Sequence, residues 1–84
     1  MLQFIDVDDN DVKNFKKLVA SNVKKMRIKK GLSQADLAQT IGHKSMSTIG
    51  KIEAGLENKH YNIEQLYKIS IALDVNICEF FSNL

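Results

Sequence analysis

The chain of 84 residues is 44% hydrophobic and carries twelve basic against ten acidic residues, a net charge of +2. This length accommodates one small domain with a single core and leaves no room for a second, catalytic domain. Because the chain has no proline, four glycines and strong helix formers throughout, it is predicted to be all-α with short connections.

Hydropathy and the cysteine count limit where the protein is expected to be located and which cofactors it is expected to bind. No run approaches the ~18 apolar residues of a membrane span, and the N-terminus lacks the basic-then-apolar order of a signal peptide. We therefore expect a cytoplasmic protein with no membrane partner. Cys78 is the single cysteine, and its separation from His43 and His60 matches no zinc-binding spacing. We expect no metal or other cofactor.

Charge is distributed unevenly along the chain. Four of the ten acidic residues are aspartates between positions 6 and 11, whereas residues 12–84 hold all twelve basic residues and six acidic ones, a net charge of +6. A basic body favours a polyanionic partner. On charge alone, lysines such as Lys24 and Lys29 are best interpreted as a helix face exposed to solvent. A sequence motif is therefore needed before they can be taken as evidence for a nucleic-acid partner.

The N-terminal third predicts an arm and a long helix. Residues 1–10 mix acidic and apolar side chains without a clear period and indicate an arm or a short strand. A helix is predicted from about Asn10 to Lys30, capped by Asp9 or Asn10. Its early part, about residues 11–18, is expected to cover the core rather than a second subunit. The apolar residues of this helix, spaced by three and four, are Val12, Phe15, Val19, Val23 and Met26.

Residues 31–53 predict two short helices joined by a tight turn. Ser33 and Asp36 form a capping box that opens the first of them, and Gly42 offers a left-handed stop. Inward apolar residues recur in both helices at helical spacing; they are Leu37, Ala38, Ile41, Ile49 and Ile52. The outer face of the second helix is then small, polar and basic, which suits insertion into the major groove of DNA.

The segments GLSQADLA, IG and STIGKIEAG carry a resemblance to a known family. The chain resembles the helix-turn-helix of phage-repressor and Cro-type regulators, the Xre-like family. With the downstream segment IEQLYKISIALDVNICEFF, the resemblance spans about residues 19–84. It implies a compact five-helix lambda-repressor-like DNA-binding domain over residues 11–84, with a helix-turn-helix at about residues 33–54. The first helix is predicted to be N-terminally extended, longer at that end than the family needs.

The resemblance implies roles for individual residues. Gln34 matches a residue that binds DNA phosphates from the start of helix two. The base-contacting face of helix three is matched by Met46, Ser47 and Lys51. Asn58 and Lys59 match a loop region that contacts the DNA backbone. Arg27 and Glu53 match a structural pair that links helix one to the end of helix three. The predicted DNA-binding residues are Gln34, Lys44, Ser45, Met46, Ser47, Thr48, Lys51, Asn58 and Lys59.

The turn before helix three differs from the family pattern. Nine residues, rather than the usual eight, separate Gly42 from the Ile-Glu pair, and we place the extra residue at His43 or Lys44. On helix three, Lys51 and Lys44 are the side chains able to donate to guanine edges. Because that face lacks Gln, Asn and Arg, DNA shape and deformability are predicted to supply much of the specificity.

Two further helices are predicted after a polar loop. Asn62 and Gln65 cap helix four, whose apolar residues are Ile63, Leu66, Ile69 and Leu73. Asn76 and Glu79 repeat the cap for a last helix from Ile77 to about Ser82. The adjacent Phe80 and Phe81 project about 100° apart on a helix, so one is expected inside and the other near the surface. The predicted homodimer contact comprises Ile77, Cys78, Phe80, Phe81 and Leu84; the alternative is an amply covered core.

The leading hypothesis is a sequence-specific regulator that binds double-stranded DNA as a homodimer. The family pattern leaves three roles open: stand-alone repressor, restriction-modification controller and antitoxin-type autoregulator. The alternative is a helical module that binds a partner protein and has little or no affinity for DNA. An enzyme is not expected, because His43, His60 and Cys78 fall on different elements without an orienting partner.

Overall fold

The computed structural model describes residues 3–42 and 46–82, so the predictions for His43, Lys44, Ser45 and Leu84 lie outside the described residues. Four α-helices are followed by a terminal 3-10 helix. They are α1 (Asp9–Lys29), α2 (Gln34–Thr40), α3 (Ser47–Ala54), α4 (Ile63–Leu73) and the terminal 3-10 helix (Ile77–Phe81). The described residues contain no strand, and the all-α prediction is confirmed.

Two predicted helix starts are confirmed. The backbone N–H of Asp36 donates to the Ser33 hydroxyl at 3.0 Å, and the Ser33 N–H donates to the Asp36 carboxylate at 2.9 Å. Asn62 and Gln65 form the same reciprocal box at the start of α4. The backbone bond from Ser33, and then its hydroxyl, lowers the pKa of Asp36. Local capping chemistry therefore determines where α2 and α4 begin.

One other cap was predicted wrongly, and a second, Asn76, is the cap that was predicted but without its expected partner. The N-cap of α1 is Asp8, whose carboxylate accepts from the Asn10 N–H at 2.8 Å, and residues 3–8 form neither helix nor strand. At the C-terminus, Asn76 caps through the N–H of Cys78 at 2.9 Å and makes no box with Glu79. The last helix is a 3-10 helix, and its cap accepts from the N–H two residues on, as the Asp8 cap of α1 does.

One core joins the helices. It consists of the buried side chains Val19, Ala20, Val23, Leu37, Ala38, Ile41, Ile49, Ile52, Tyr61, Leu66, Ile69, Leu73 and Phe80. The prediction that the early turns of α1 cover this core is wrong, because Phe15 is 52% exposed and burial begins at Val19. Of the four apolar residues named on helix four, Ile63 lies outside the core and is 70% exposed. Helical periodicity identifies an apolar face, but not whether another element covers it.

A buried asparagine ties the C-terminus to α1. The Asn22 amide nitrogen donates to the backbone carbonyls of Phe80 and Ser82, and Asn22 is fully buried. Phe80 fills the core beside it, so its predicted place in a dimer contact is wrong. No helix among the described residues is long and apolar enough to cross a membrane.

Candidate nucleic-acid interface

Helices α2 and α3 form the predicted two-helix unit. Leu37 and Ala38 from α2 and Ile49 and Ile52 from α3 are all buried in the common core. After α2 the chain turns at Gly42, which has φ +79°, a backbone conformation that glycine adopts without strain. With the isoleucines inside, the opposite face of α3 points away from the core.

A buried network holds α1, α2 and α3 together. Arg27 Nε donates to Glu53 Oε2 at 2.8 Å, Arg27 Nη2 donates to Glu53 Oε1 at 3.0 Å, and Arg27 Nη1 donates to the Leu32 carbonyl at 2.7 Å. The two side chains are 9% and 3% exposed. This forked pair confirms the predicted link between helix one and the end of helix three, and its geometry is one that lysine cannot reproduce.

Gln34 extends the network to the start of α2. Its amide nitrogen donates to Glu53 Oε1 at 3.0 Å. The amide has two N–H groups, so one is used within the protein and the other can still donate to a ligand. The expected phosphate contact is therefore compatible with this position. Gln34 also lies beside Gly50: a Cβ added to Gly50 would meet Gln34 Oε1 at 3.6 Å, an ordinary contact distance, so the free protein does not require glycine there.

The outer face of α3 brings several predicted DNA-binding residues together. Met46 is 56% exposed at the helix start, Ser47 is exposed, and Thr48 and Lys51 are half-buried. No side chain of the described residues caps the first N–H groups of α3. A small, polar helix face with a cation on its last turn can approach the edges of base pairs.

Lys51 has an acidic neighbour that the sequence pattern does not predict. Its Nζ lies 2.8 Å from Glu57 Oε2 in the loop that follows α3. The hydrogen bond from Lys51, and then its charge, lowers the pKa of Glu57. Lys51 was expected to be available to bases, whereas in the protein without DNA it is paired. The pair is partly exposed, so it is weak and can exchange for a DNA contact.

The loop residues Asn58 and Lys59 are exposed, as a DNA-backbone contact requires. Tyr61, which belongs to the predicted polar loop, is instead buried in the core. Burial, followed by the negative charge of Glu53, raises the pKa of Tyr61. Its hydroxyl has no hydrogen-bond partner among the protein atoms that the structure describes. Only its aromatic character in an otherwise polar segment could have indicated this burial.

The predicted dimer residues are divided between core and surface. Phe80 is buried, Ile77 is half-buried against the core, and Cys78 is exposed. Phe81 is 38% exposed and stacks on Phe15, with ring centroids 6.2 Å apart. One phenylalanine inside and one near the surface agrees with the prediction for that pair. The stack belongs to an open apolar groove that Val12 and Ile63 also line.

The arrangement of α2 and α3 is that of a helix-turn-helix DNA-binding domain. Comparison with protein families identifies it more closely: the model of the helix-turn-helix family HTH_3 matches residues 23–80. The chain therefore belongs to this family of Xre-like DNA-binding regulators, as the resemblance implied.

Within the described residues, no group of His, Cys, Asp and Glu side chains is arranged to hold a metal ion.

Several solved structures are similar to the chain, and they include the following three. The restriction-modification controller protein C.AhdI from Aeromonas hydrophila is 29% identical, with a TM-score of 0.65 over 77% of this chain and 94% of that one. An HTH_3 family transcriptional regulator from Vibrio cholerae is 33% identical, with a TM-score of 0.67 over 82% of this chain and 37% of that one. The hypothetical transcription factor NHTF from Neisseria shares the fold at 23% identity, with a TM-score of 0.67 over 98% and 87% of the two chains. A search of curated proteins finds no match.

Proposed function

We propose that the protein is a sequence-specific transcriptional regulator that binds double-stranded DNA as a homodimer, with α3 in the major groove of a two-fold symmetric operator. The observation that carries this proposal is the network of Arg27, Glu53 and Gln34. It fixes α3 on the scaffold by its inner side while the outer face stays open. A recognition element must be held in this way to place side chains against base edges.

Lys51 is the proposed base-reading side chain among the described residues of α3. To donate to a guanine edge it leaves Glu57, which then faces solvent. Met46 offers an apolar contact to a thymine methyl, and Ser47 and Thr48 are short, versatile partners. Gln34 and the N-terminus of α2 hold phosphate and set the register. Because this face has few strong readers, DNA shape supplies a large share of the specificity.

A specificity profile tests the assignment of Lys51. Dissociation constants of wild type and Lys51→Ala are measured on the best operator and on its single-base variants. The loss on the best operator should be about 1–3 kcal/mol, with preference relaxed at one base pair. Lys68→Ala, which removes a lysine of α4, is the matched control and should change little. Equal weakening on every sequence would make Lys51 a phosphate contact instead.

The homodimer is proposed to form through the stack of Phe15 and Phe81. These two rings and the exposed Ile63 make an apolar surface that no element of the described chain covers. Exposed apolar surface of this kind is typical of a self-complementary interface. The contact differs from the predicted one, because Phe15 joins Phe81 and Phe80 is withdrawn into the core.

Sedimentation of paired variants tests the dimer contact. Phe15→Ser with Phe81→Ser should shift the protein from dimer to monomer while the helical circular dichroism is retained, since both rings are partly exposed. Tyr67→Ser with Ile71→Ser removes two other exposed apolar side chains, both on α4, and should leave the dimer intact. The reverse pattern would move the contact to α4.

The similarity to C.AhdI favours the role of restriction-modification controller among the three roles that the family pattern leaves open. A protein-interaction module is the second candidate function. It is favoured by an exposed apolar stripe on α4, where Ile63, Tyr67 and Ile71 follow one another at intervals of four and are all more than half exposed. Binding to DNA that weakens steeply with salt would support the regulator over this alternative.

A further inference from the structure

The early part of α1 faces the loop after α3 across a basic groove of about 240 Å³. Lys13, Lys16 and Lys17 line one side, and Asn58 and Lys59 line the other. We call these five residues the lysine groove. The three positions on α1 are separated by one, three and four residues, so they share a face of the helix. Helix and loop thus bring four cations, distant in sequence, to one concave site.

No carboxylate among the described residues forms a direct ion pair at this site, although the charge of Glu57 interacts with Lys59 at longer range. Within residues 3–42 and 46–82 the ion pairs are Arg27–Glu53 and Lys51–Glu57, so none of the four lysines is paired with a carboxylate. The remaining lining residues include Ala20, Ile52 and Gly55, and no acidic side chain. Four like charges around one concavity repel one another and raise the local concentration of anions.

The loop side of the groove has a defined shape. A Cβ on Gly55 would meet Lys17 Cε at 3.4 Å, so the stem of Lys17 lies directly across this glycine. Glu57 and Asn58 have φ 56° and 52°, and this left-handed turn directs the loop back towards α1; asparagine adopts the conformation readily. The turn is supported by a contact between the Asn58 carbonyl and His60 Nδ1 at 3.2 Å, and by a bond from the Lys59 N–H to the Leu56 carbonyl at 3.1 Å.

The groove adjoins the recognition helix. Ile52 lies in the last turn of α3 and Gly55 ends the helix, so an anion in the groove is placed next to the turn that carries Lys51. A helix inserted in the major groove has a row of phosphates at each edge, and the groove is about 12 Å wide. Gln34 at the start of α2 bonds to Glu53 in the last turn of α3. The lysine groove lies beyond this same C-terminal end of α3, past Gly55, so it is positioned for backbone phosphates next to those that Gln34 can hold. Several separated cations suit a repeating polyanion better than a single phosphate.

We propose that the lysine groove binds two or three backbone phosphates of the operator duplex and so extends the DNA contact along the early turns of α1. This inference rests on the proposed function and deepens it. Lys13, Lys16 and Lys17 precede residue 23, where the match to the helix-turn-helix family begins, so the added surface is a feature of this chain's long first helix.

Salt titration of two matched triple variants tests the proposal. One replaces Lys13, Lys16 and Lys17 with glutamine. The control makes the same change at Lys25, Lys29 and Lys30, which lie at the other end of α1 beside Asp74 and Glu79. Both variants lose three positive charges from exposed or half-buried helix-end positions. Glutamine is a good helix former, so circular dichroism should be unchanged.

Dissociation constants are measured between about 50 and 200 mM salt on the selected operator and on a random duplex. Each lost phosphate contact lowers the slope of log K against log salt by ~0.9. Because each protomer of the homodimer carries one groove, the groove variant should lose a slope of about 4–5 in total and bind both duplexes at least tenfold more weakly at low salt. The control variant should lose less than half of that slope. Trimming base pairs from the operator ends should weaken wild type but not the groove variant.

Each other result has a distinct meaning. Equal slopes for the groove variant and its control would overturn the lysine groove while leaving DNA binding by α3 in place. Loss of base preference rather than uniform weakening would overturn the phosphate assignment. Tighter DNA binding by the groove variant would assign the groove to an internal acidic partner such as the aspartate-rich arm. Absence of salt-dependent binding by wild type would remove the proposed function itself.

Discussion

Removal of Arg27 should damage the fold far more than removal of a surface charge. Arg27→Met leaves the buried Glu53 carboxylate with Gln34 as its remaining side-chain donor, and it leaves the Leu32 carbonyl without its guanidinium partner. Breaking a buried pair on one side typically costs about 3–5 kcal/mol. A domain of 84 residues has a total stability of about 4–13 kcal/mol, so roughly a quarter or more of it would be lost.

This loss can be measured by thermal and urea unfolding followed by circular dichroism. One kcal/mol corresponds to about 4–8 °C in a domain of this size, so the unfolding midpoint of Arg27→Met should fall by at least about 12 °C. Arg27→Lys should show an intermediate loss, because an ammonium keeps the charge but cannot make the forked contact.

A double variant separates the two explanations of that loss. Arg27→Met with Glu53→Leu removes both charges together and should recover most of the stability, as replacement of whole buried pairs commonly does. A loss below about 1 kcal/mol for Arg27→Met, the value of a surface ion pair, would refute the reasoning. So would a double variant that is no more stable than Arg27→Met.

Three further predictions follow from local contacts. Glu57→Gln should tighten DNA binding up to about fivefold in fluorescence anisotropy, because it releases Lys51 and removes a negative charge from the proposed interface; weaker binding would contradict this. Burial raises the pKa of Tyr61 above its ordinary 10.0, so its contribution to stability is complete below pH 10 and is lost as the pH rises further. Tyr61→Phe should therefore retain more stability than wild type when unfolding is measured at alkaline pH. Identical pH profiles for the two proteins would contradict the raised pKa of Tyr61. Gly50→Ala should raise the thermal unfolding midpoint by about 2–8 °C, because a glycine inside a helix costs about 0.5–1 kcal/mol. The added Cβ would meet Gln34 Oε1 at 3.6 Å, an ordinary contact distance. A lower midpoint would indicate that the methyl group does not fit between α3 and Gln34.

The features that the sequence predicted correctly depend on residues close together in the chain. The Ser33 and Asn62 boxes need a partner only three positions away, so they are visible in a single line of sequence. The pair of Arg27 and Glu53 spans 26 positions, and the resemblance to a family identified it where periodicity could not.

The features that were missed or predicted wrongly depend on distant packing. Asn22 is buried because it binds carbonyl groups 58 and 60 positions away, and nothing near it in sequence indicates those partners. Phe15 continues the apolar face of α1, but the core ends before it, so period alone overestimates burial. Glu57 and the lysine groove likewise arise from the path of the loop after α3, which turn propensity does not define.

The central claim is that α3 reads DNA sequence from a two-fold symmetric protein. The most direct test is selection of binding sites by the purified protein from a random duplex pool, followed by titration of the selected site across salt. A palindromic motif with half-site centres about one helical turn apart, bound with a steep salt dependence, is the predicted result. Failure to enrich any motif, with weak binding only at low salt, would contradict the account and direct attention to a protein partner of the apolar stripe on α4.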